Sequence, residues 1–370
     1  MYFLDERFVI FVPLLVVGYW LARGQRNWAL LAGSIIWLWM FSGPTLVALV
    51  GLTVAVVYPV ARVASAVRLR DPTRANRIGW LGVVLLVGIA SVLRIKTQLL
   101  PDMELSCPRG DYVLRWIGFS YFLLKAIHVV RATARGIVKM PSLLELLHYA
   151  LFVPTLTSGP LYRIDTFATQ LGSDKRLTSA VIEAGSVRIA RGLAKKVVLV
   201  PLLASVVAGL RSHGVVAAPL AFAVLYVMLY LDFSGYCDIG IGIGRLLGFE
   251  VPENFKKPFT ATTLTQFWRN WHATLGDWLR ENVFIPLGGI RAKGAKLSLI
   301  VLGSMVIVGL WHSYTIKFVM WGAYHGALLL LENWLNVKPI RPHSAPWGRV
   351  VLRYALVQAA AIGGMFAFLP

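Results

Sequence analysis

Apolar runs recur from one end of the chain to the other, and no other feature constrains the fold as much. We read ten of them as membrane spans: Phe8–Ala22, Trp28–Phe41, Thr45–Ala61, Gly79–Leu93, Val113–Val130, Val197–Leu210, Val215–Leu231, Leu297–Trp311, Phe318–Leu335 and Val350–Leu369. An upright span needs about 20 residues of helix. Several of the runs are shorter, so thin or tilted spans are expected. Mean hydropathy is +0.68. Charged residues make up 15% of the 370, against roughly a quarter in soluble domains. Too little polar chain remains for a separate soluble domain. The expected architecture is all-α and polytopic, with about ten transmembrane helices plus re-entrant or interfacial helices, in one membrane-embedded domain over residues 1–370.

The first run follows Asp5, Glu6 and Arg7 and meets no small-x-small cleavage site before Arg23, so it is expected to stay in the membrane. The net charge of +20 is spread over short connections, as the positive-inside rule requires, and shows no aromatic-interleaved basic module for nucleic acid. Arg23 and Arg26, then Arg62, Arg68, Arg70, Arg74 and Arg77, then Arg131, Arg135 and Lys139, fall on one side. That side is cytoplasmic and the N-terminus lies outside. Leu143–Thr157 is apolar, yet Arg163, Lys175, Arg176, Arg188, Arg191, Lys195 and Lys196 follow it. A segment that enters the membrane and returns keeps those cations inside, and Pro154, Gly159 and Pro160 suit a broken helix. With that segment excluded, both termini are extracytoplasmic. Two cysteines, Cys107 and Cys237, support neither a disulfide framework nor a cysteine metal site. No internal repeat is visible, which weakens a transporter reading.

Two polar stretches interrupt the apolar pattern. In Thr263–Gly289, Thr263 with Gln266 fits a capping box. Trp268, Trp271, His272, Leu275 and Leu279 share one helical face, while Arg269, Ala273, Asp277, Arg280 and Glu281 line the other. An amphipathic, non-spanning helix over Thr263–Asn282 is expected. In Tyr230–Phe259, Gly240, Gly242 and Gly244 do not make a nucleotide loop, because position 247 is Leu. Gly240, Gly244 and Gly248 recur every four residues, the spacing of close helix packing. Asp232 and Asp238 are acidic residues at membrane depth, which marks either a functional site or an ion pair with Arg245 or another buried cation. Near the end, "GLWHSYTIKFVMWGAYHG" keeps His312 and His325 in an apolar segment, with Lys317 between them.

Together "DFSGYCDIGIGIGRLLGFEVPENFKKPF", "FWRNWHATLGDWLRENVFIPLGG" and "GLWHSYTIKFVMWGAYHG" resemble the bacterial branch of the membrane-bound O-acyltransferase family. "VPTLTSGPLYRIDTF" and "IGFSYFLLKAIHVVRATARG" add to the likeness, which covers roughly residues 116–330. Two departures are Ser313 where the family has Gly after the GLWH His, and Leu231 where it has Phe. The resemblance implies transfer of a small acyl group, D-alanyl or acetyl, from a cytoplasmic thioester to a hydroxyl of an extracytoplasmic envelope glycan or lipid-linked polymer. It implies His312 as the essential base and His272 as a second catalytic residue. Trp271, Trp311, Asn254, Asp232, Tyr236 and Arg269 are the candidate substrate-binding residues in the same motifs. No tightly bound cofactor is expected. An acyl carrier protein or acyl-CoA would bring the thioester as co-substrate. The expected partners are that carrier protein on the cytoplasmic face, an extracytoplasmic envelope-modification protein and membrane lipids, in the bacterial cytoplasmic membrane. No metal cluster is visible, since His272 and His312 are too few for a zinc site. Two other readings are a proton-coupled flippase or transporter of a lipid-linked substrate, and a lapsed scaffold that recruits an acidic carrier.

Overall fold

In the computed structural model, residues 6–99, 109–156, 159–211, 214–340 and 345–365 are described; Cys107 lies outside them. Among these residues there are fourteen α-helices, and the sole β-type pairing is an isolated bridge between Phe255 and Trp271. The fold is therefore helical throughout, as the sequence pattern required. The chain forms two compact units, Met1–Arg191 with Asp238–Pro252, and Gly192–Cys237 with Glu253–Pro370.

The first unit begins with α1 (Glu6–Leu21), α2 (Arg26–Arg68), α3 (Pro72–Leu99) and α4 (Arg109–Arg135). α2 holds two of the expected spans in one run, broken at Gly43, where φ is 70° and ψ is 178°. That backbone region favours glycine. α5 (Leu143–Leu151) and α6 (Ile164–Leu171) follow, and α7 (Ser179–Leu193) leads into the second unit. The Leu143–Thr157 segment was expected to enter the membrane without crossing it. Its described residues, 143–156, hold the nine residues of α5 and a 3₁₀ turn at Val153–Thr155. At ~1.5 Å per residue that is about half a bilayer. A complete capping box starts α5: Ser142 Oγ accepts from the Glu145 N–H, and Glu145 accepts from the Ser142 N–H at 2.7 Å.

The second unit holds α8 (Val200–Arg211), the first two-thirds of α9 (Ala218–Leu246), α10 (Leu264–Asn270), α11 (Ala273–Leu279), α12 (Gly294–His312), α13 (Ile316–Trp334) and α14 (Trp347–Gly363). α12 and α13 form a close hairpin. A Cβ on Gly322 would lie 2.7 Å from the Val306 Cα, and one on Gly326 3.1 Å from the Leu302 Cα. Only glycine lets the two backbones meet there, and Gly322-x-x-x-Gly326 is the small-residue pattern of such contacts.

Among the described residues, five helices are long and apolar enough to cross a membrane: Leu46–Arg68, Pro72–Val92, Ser179–Leu210, Ala218–Leu246 and Gly294–His312. The pair Arg7–Leu21 and Arg23–Met40, bent by 116°, would supply a sixth as a broken or re-entrant span. Only 11% of the Ser179–Leu210 window is buried. Such a surface calls for lipid around it.

Two expectations change. The basic stretch before Val197, expected as a loop, is helix from Ser179 onward, running through a π-helical turn at Ala194–Leu199 into α8. Two of its cations are also spoken for: Arg188 Nε pairs with Asp238 at 2.6 Å in the first unit, and Lys196 Nζ with Asp232 at 2.5 Å in the second. Asp238 thus sits in an ion pair, as one of its two expected readings had it, with Arg188 as the other cation in place of Arg245. Charge counting along a chain cannot see pairs between helices, so it overcounts free cations. Second, the glycine stripe packs as expected at Gly240, which lies against the Pro154 carbonyl, while a Cβ on Gly242 would sit 2.7 Å from the Gly185 carbonyl oxygen. Gly248 is past the helix, with φ 74°, and the Phe249 N–H donates back to the Gly244 carbonyl at 2.8 Å. It is a left-handed C-terminal cap.

Candidate active site

The polar stretch at Thr263–Asn282 is two short helices and a π turn rather than one helix. Thr263 Oγ1 accepts from the Gln266 N–H and starts α10. Gln266 Oε1 accepts from the Thr262 N–H at 2.9 Å, one residue earlier than a capping box would have it. From α13, the Glu332 carboxylate accepts from the N–H groups of Leu264 and Thr265. A negative charge at a helix start suits the local dipole.

The break falls at His272, whose φ of 48° and ψ of 49° are left-handed. Histidine enters that region more readily than most residues, at a cost of ~1–3 kcal/mol. Asn254 and its neighbours hold the turn. The Ala273 N–H donates to the Asn254 carbonyl at 2.8 Å, and the Lys256 N–H donates to the Asn270 carbonyl at 2.9 Å. Asn254 Oδ1 accepts from Thr274 Oγ1 at 2.9 Å, and its Nδ2 donates to Cys237 Sγ at 3.4 Å. Asn254 is fully buried. Asn254, a candidate substrate-binding residue, turns these polar atoms toward Thr274 and Cys237.

The break does not disturb the face read from the sequence. Trp268, Trp271, His272, Leu275 and Leu279 all line one cavity of about 150 Å³. α12 contributes Met305, Val308 and His312, and α13 contributes Trp321 and His325. The lining is almost wholly apolar and aromatic, and none of it is a carboxylate.

His272 is buried, its ring edge-on to Phe233 at 4.8 Å between centroids. Burial first, and the neighbouring His312 second, hold its pKa well below 6.5. The buried imidazole is therefore neutral. His312 ends α12, half-buried, stacked near Phe318 and edge-on to Trp321 at 5.6 Å. The Trp311 ring lies 6.1 Å from that of His272 and 4.8 Å from that of His312. The structure thus brings together Trp271, His272 and His312 at the cavity, with Trp311 against both histidines. It does not bring the others there. Asp232 pairs with Lys196, whose Nζ lies 5.8 Å from the Tyr236 ring centre, and Arg269 is exposed. His325, noted in the sequence only as a polar residue in an apolar segment, also lines the cavity. Position along α13 placed it there, and no residue pattern in the sequence announced it.

Comparison with known proteins shows the family of the chain. Residues 77–337 match the model of the membrane-bound O-acyltransferase family. The chain belongs to that family, and its class is that of a membrane-embedded O-acyltransferase. It is 30% identical to a probable alginate O-acetylase of Pseudomonas syringae pv. tomato, over 97% of this chain and 70% of the relative. It is 29% identical to the teichoic acid D-alanyltransferase of Streptococcus thermophilus, over 67% of this chain and 64% of the relative. A peptidoglycan O-acetyltransferase of Helicobacter pylori is 37% identical over 52% of this chain and 38% of its own length. The chain therefore spans less than two-thirds of the length of the last two relatives.

Proposed function

We propose that the protein moves a small acyl group, acetyl or D-alanyl, from a cytoplasmic thioester to a hydroxyl of an extracytoplasmic envelope polymer, with His312 as general base. The observation that carries this reading is the convergence of His272, His312 and Trp271 on one apolar cavity. A thioester is already activated, so the step that needs help is removal of the hydroxyl proton. A positioned imidazole contributes about 10²–10⁴-fold to such a step. His312 takes that proton as the hydroxyl oxygen attacks the carbonyl carbon, and the imidazolium then returns it to the leaving thiolate. His272, held neutral on a strained turn, shapes the wall beside His312. Trp271 and Trp311 confine the donor's acyl end. The acyl donor would be acyl-CoA or an acyl carrier protein docking at the cytoplasmic face. The chain would lie in the bacterial cytoplasmic membrane with both termini outside, and an extracytoplasmic protein would handle the acylated polymer. The relatives' names, which include an alginate O-acetylase and a teichoic acid D-alanyltransferase, support both acyl choices.

The test is label transfer from acetyl- and D-alanyl-thioesters into ester-linked envelope polymer in membranes carrying the chain. His312→Ala should keep its place in the membrane and lose transfer by about 10²–10⁴-fold. Near-normal turnover would refute the role of His312.

A further inference from the structure

Two side chains that line the cavity each carry a buried polar atom that no protein group satisfies. His325 is 3% exposed, and its Nδ1 has no hydrogen-bond partner; the Trp268 indole Nε1 is likewise buried and unpartnered. Both side chains line the cavity, and their rings meet edge-on with centroids 4.9 Å apart. Each ring sits on a braced helix. Trp268 sits on α10, whose first turn is tied to α13 by Glu332, and α13 carries His325. Trp321 and Tyr324 flank the imidazole at 4.9 and 5.0 Å. Buried polar groups without partners are rare, because each costs about 1–3 kcal/mol. Here two lie on neighbouring rings beside a cavity, on helices braced together, where one ligand atom could accept from both.

We propose that the Trp268 Nε1–H and the Nδ1–H of neutral His325 donate to the carbonyl oxygen of the bound thioester. This rests on the acyl-transfer reading above and adds the group that stabilises its negative charge. As the acceptor oxygen bonds to the carbonyl carbon, the carbonyl π electrons move onto that oxygen and His312 takes the hydroxyl proton. The tetrahedral species then re-forms its C=O bond, the C–S bond breaks, and the thiolate leaves with the proton from His312. A pair of donors carried on braced helices acts where charge develops. Neither atom faces open space at rest, so a small rotation of the rings completes the contact, the kind of tightening that accompanies substrate binding.

The experiment uses the full chain in membranes, labelled acetyl-coenzyme A and, in parallel, a D-alanyl-carrier thioester as donors, and label in polymer ester as readout. Donor concentration is varied and the amount of folded protein is measured for each variant. Trp268→Phe keeps a ring and removes the N–H; His325→Leu keeps bulk and removes both nitrogens; His325→Gln returns an N–H donor. Trp268→Phe and His325→Leu should each lower the maximal rate by about 10²–10³-fold, as loss of one such donor does elsewhere. The half-saturating donor concentration should barely move, and His325→Gln should recover part of the rate. Full turnover in Trp268→Phe and His325→Leu, with His312→Ala inactive, overturns this inference and leaves the acyl-transfer reading standing. So does a loss that only tracks the amount of folded protein in all three variants. A wild-type chain inactive with every thioester overturns both.

Discussion

Two aromatic clusters do opposite things in this molecule: one of Phe and Tyr is filled, and one rich in Trp is hollow. In the first unit, Phe152, Phe167, Phe249, Tyr149 and Tyr162 pack ring against ring, with Phe152 4.8 Å from Phe249 and Phe167 stacked on Phe249 at 5.5 Å. Their polar tips are satisfied: Tyr149 Oη donates to the Tyr162 carbonyl at 2.6 Å, and Tyr162 Oη donates to the Glu250 carbonyl at 2.7 Å. Nearby His148 is buried with both ring nitrogens within 2.8 Å of carbonyl oxygens, those of Leu144 and Asn27. In the second unit, Tyr226, Phe233, Trp268, Trp271 and Trp321 surround about 150 Å³ of space, and His325 Nδ1 and Trp268 Nε1 lack partners. Aromatic side chains make a filled core in one place and a hollow in the other. What distinguishes the second cluster is its three Trp, its empty volume and its unspent hydrogen bonds.

The comparison can be broken by substitution. The largest effect should be loss of transfer in His312→Ala, with folded protein unchanged. In the filled cluster, Phe167→Ala should instead cost ~3–5 kcal/mol of stability, the usual range for a fully buried Phe. Denaturant unfolding in mild detergent would show it, and unchanged stability would mean that the first cluster is not a core. Asp238→Asn, which leaves Arg188 half-answered, should lower the amount of folded protein by weakening a pair worth about 3 kcal/mol when one partner is removed. Intact protein with no transfer would move Asp238 into the catalytic machinery.

The smallest effect concerns pH. Burial depresses the pKa of His272 in the fold below the 6.5 of the unfolded chain. The unfolded chain therefore binds more protons below that value, and the folded state loses stability as pH falls from about 6.5. His272→Gln should show a shallower fall in thermal midpoint between pH 6.5 and acidic pH than the wild type. An identical slope would mean that His272 is not the group being charged.

Much of this was legible in the sequence because it depends on local period and composition. The apolar runs gave the helices, and the spacing of Trp268, Trp271, His272, Leu275 and Leu279 gave the wall that lines the cavity. What was not legible depends on partners far along the chain. The helix break at His272 is set by Asn254 and Lys256 from another segment. Asp238 meets Arg188 fifty residues before it, on a stretch that charge counting had placed in a loop. His325 reaches the cavity because Gly322 and Gly326 let α13 press against α12, a contact that a single helix does not reveal.

The central claim is that the hollow cluster is where the acyl group sits, and filling it is the most direct test. Ala361 of α14 lines the cavity and is almost wholly buried. Transfer of labelled acyl into envelope polymer should be measured for Ala361→Phe beside its thermal midpoint. An added ring occupies space that is already vacant, so the overpacking penalty of ~1–3 kcal/mol seen in filled cores should be largely absent. The account predicts a folded protein of near wild-type midpoint with transfer abolished from every thioester donor. A folded Ala361→Phe protein that transfers at the wild-type rate would contradict it.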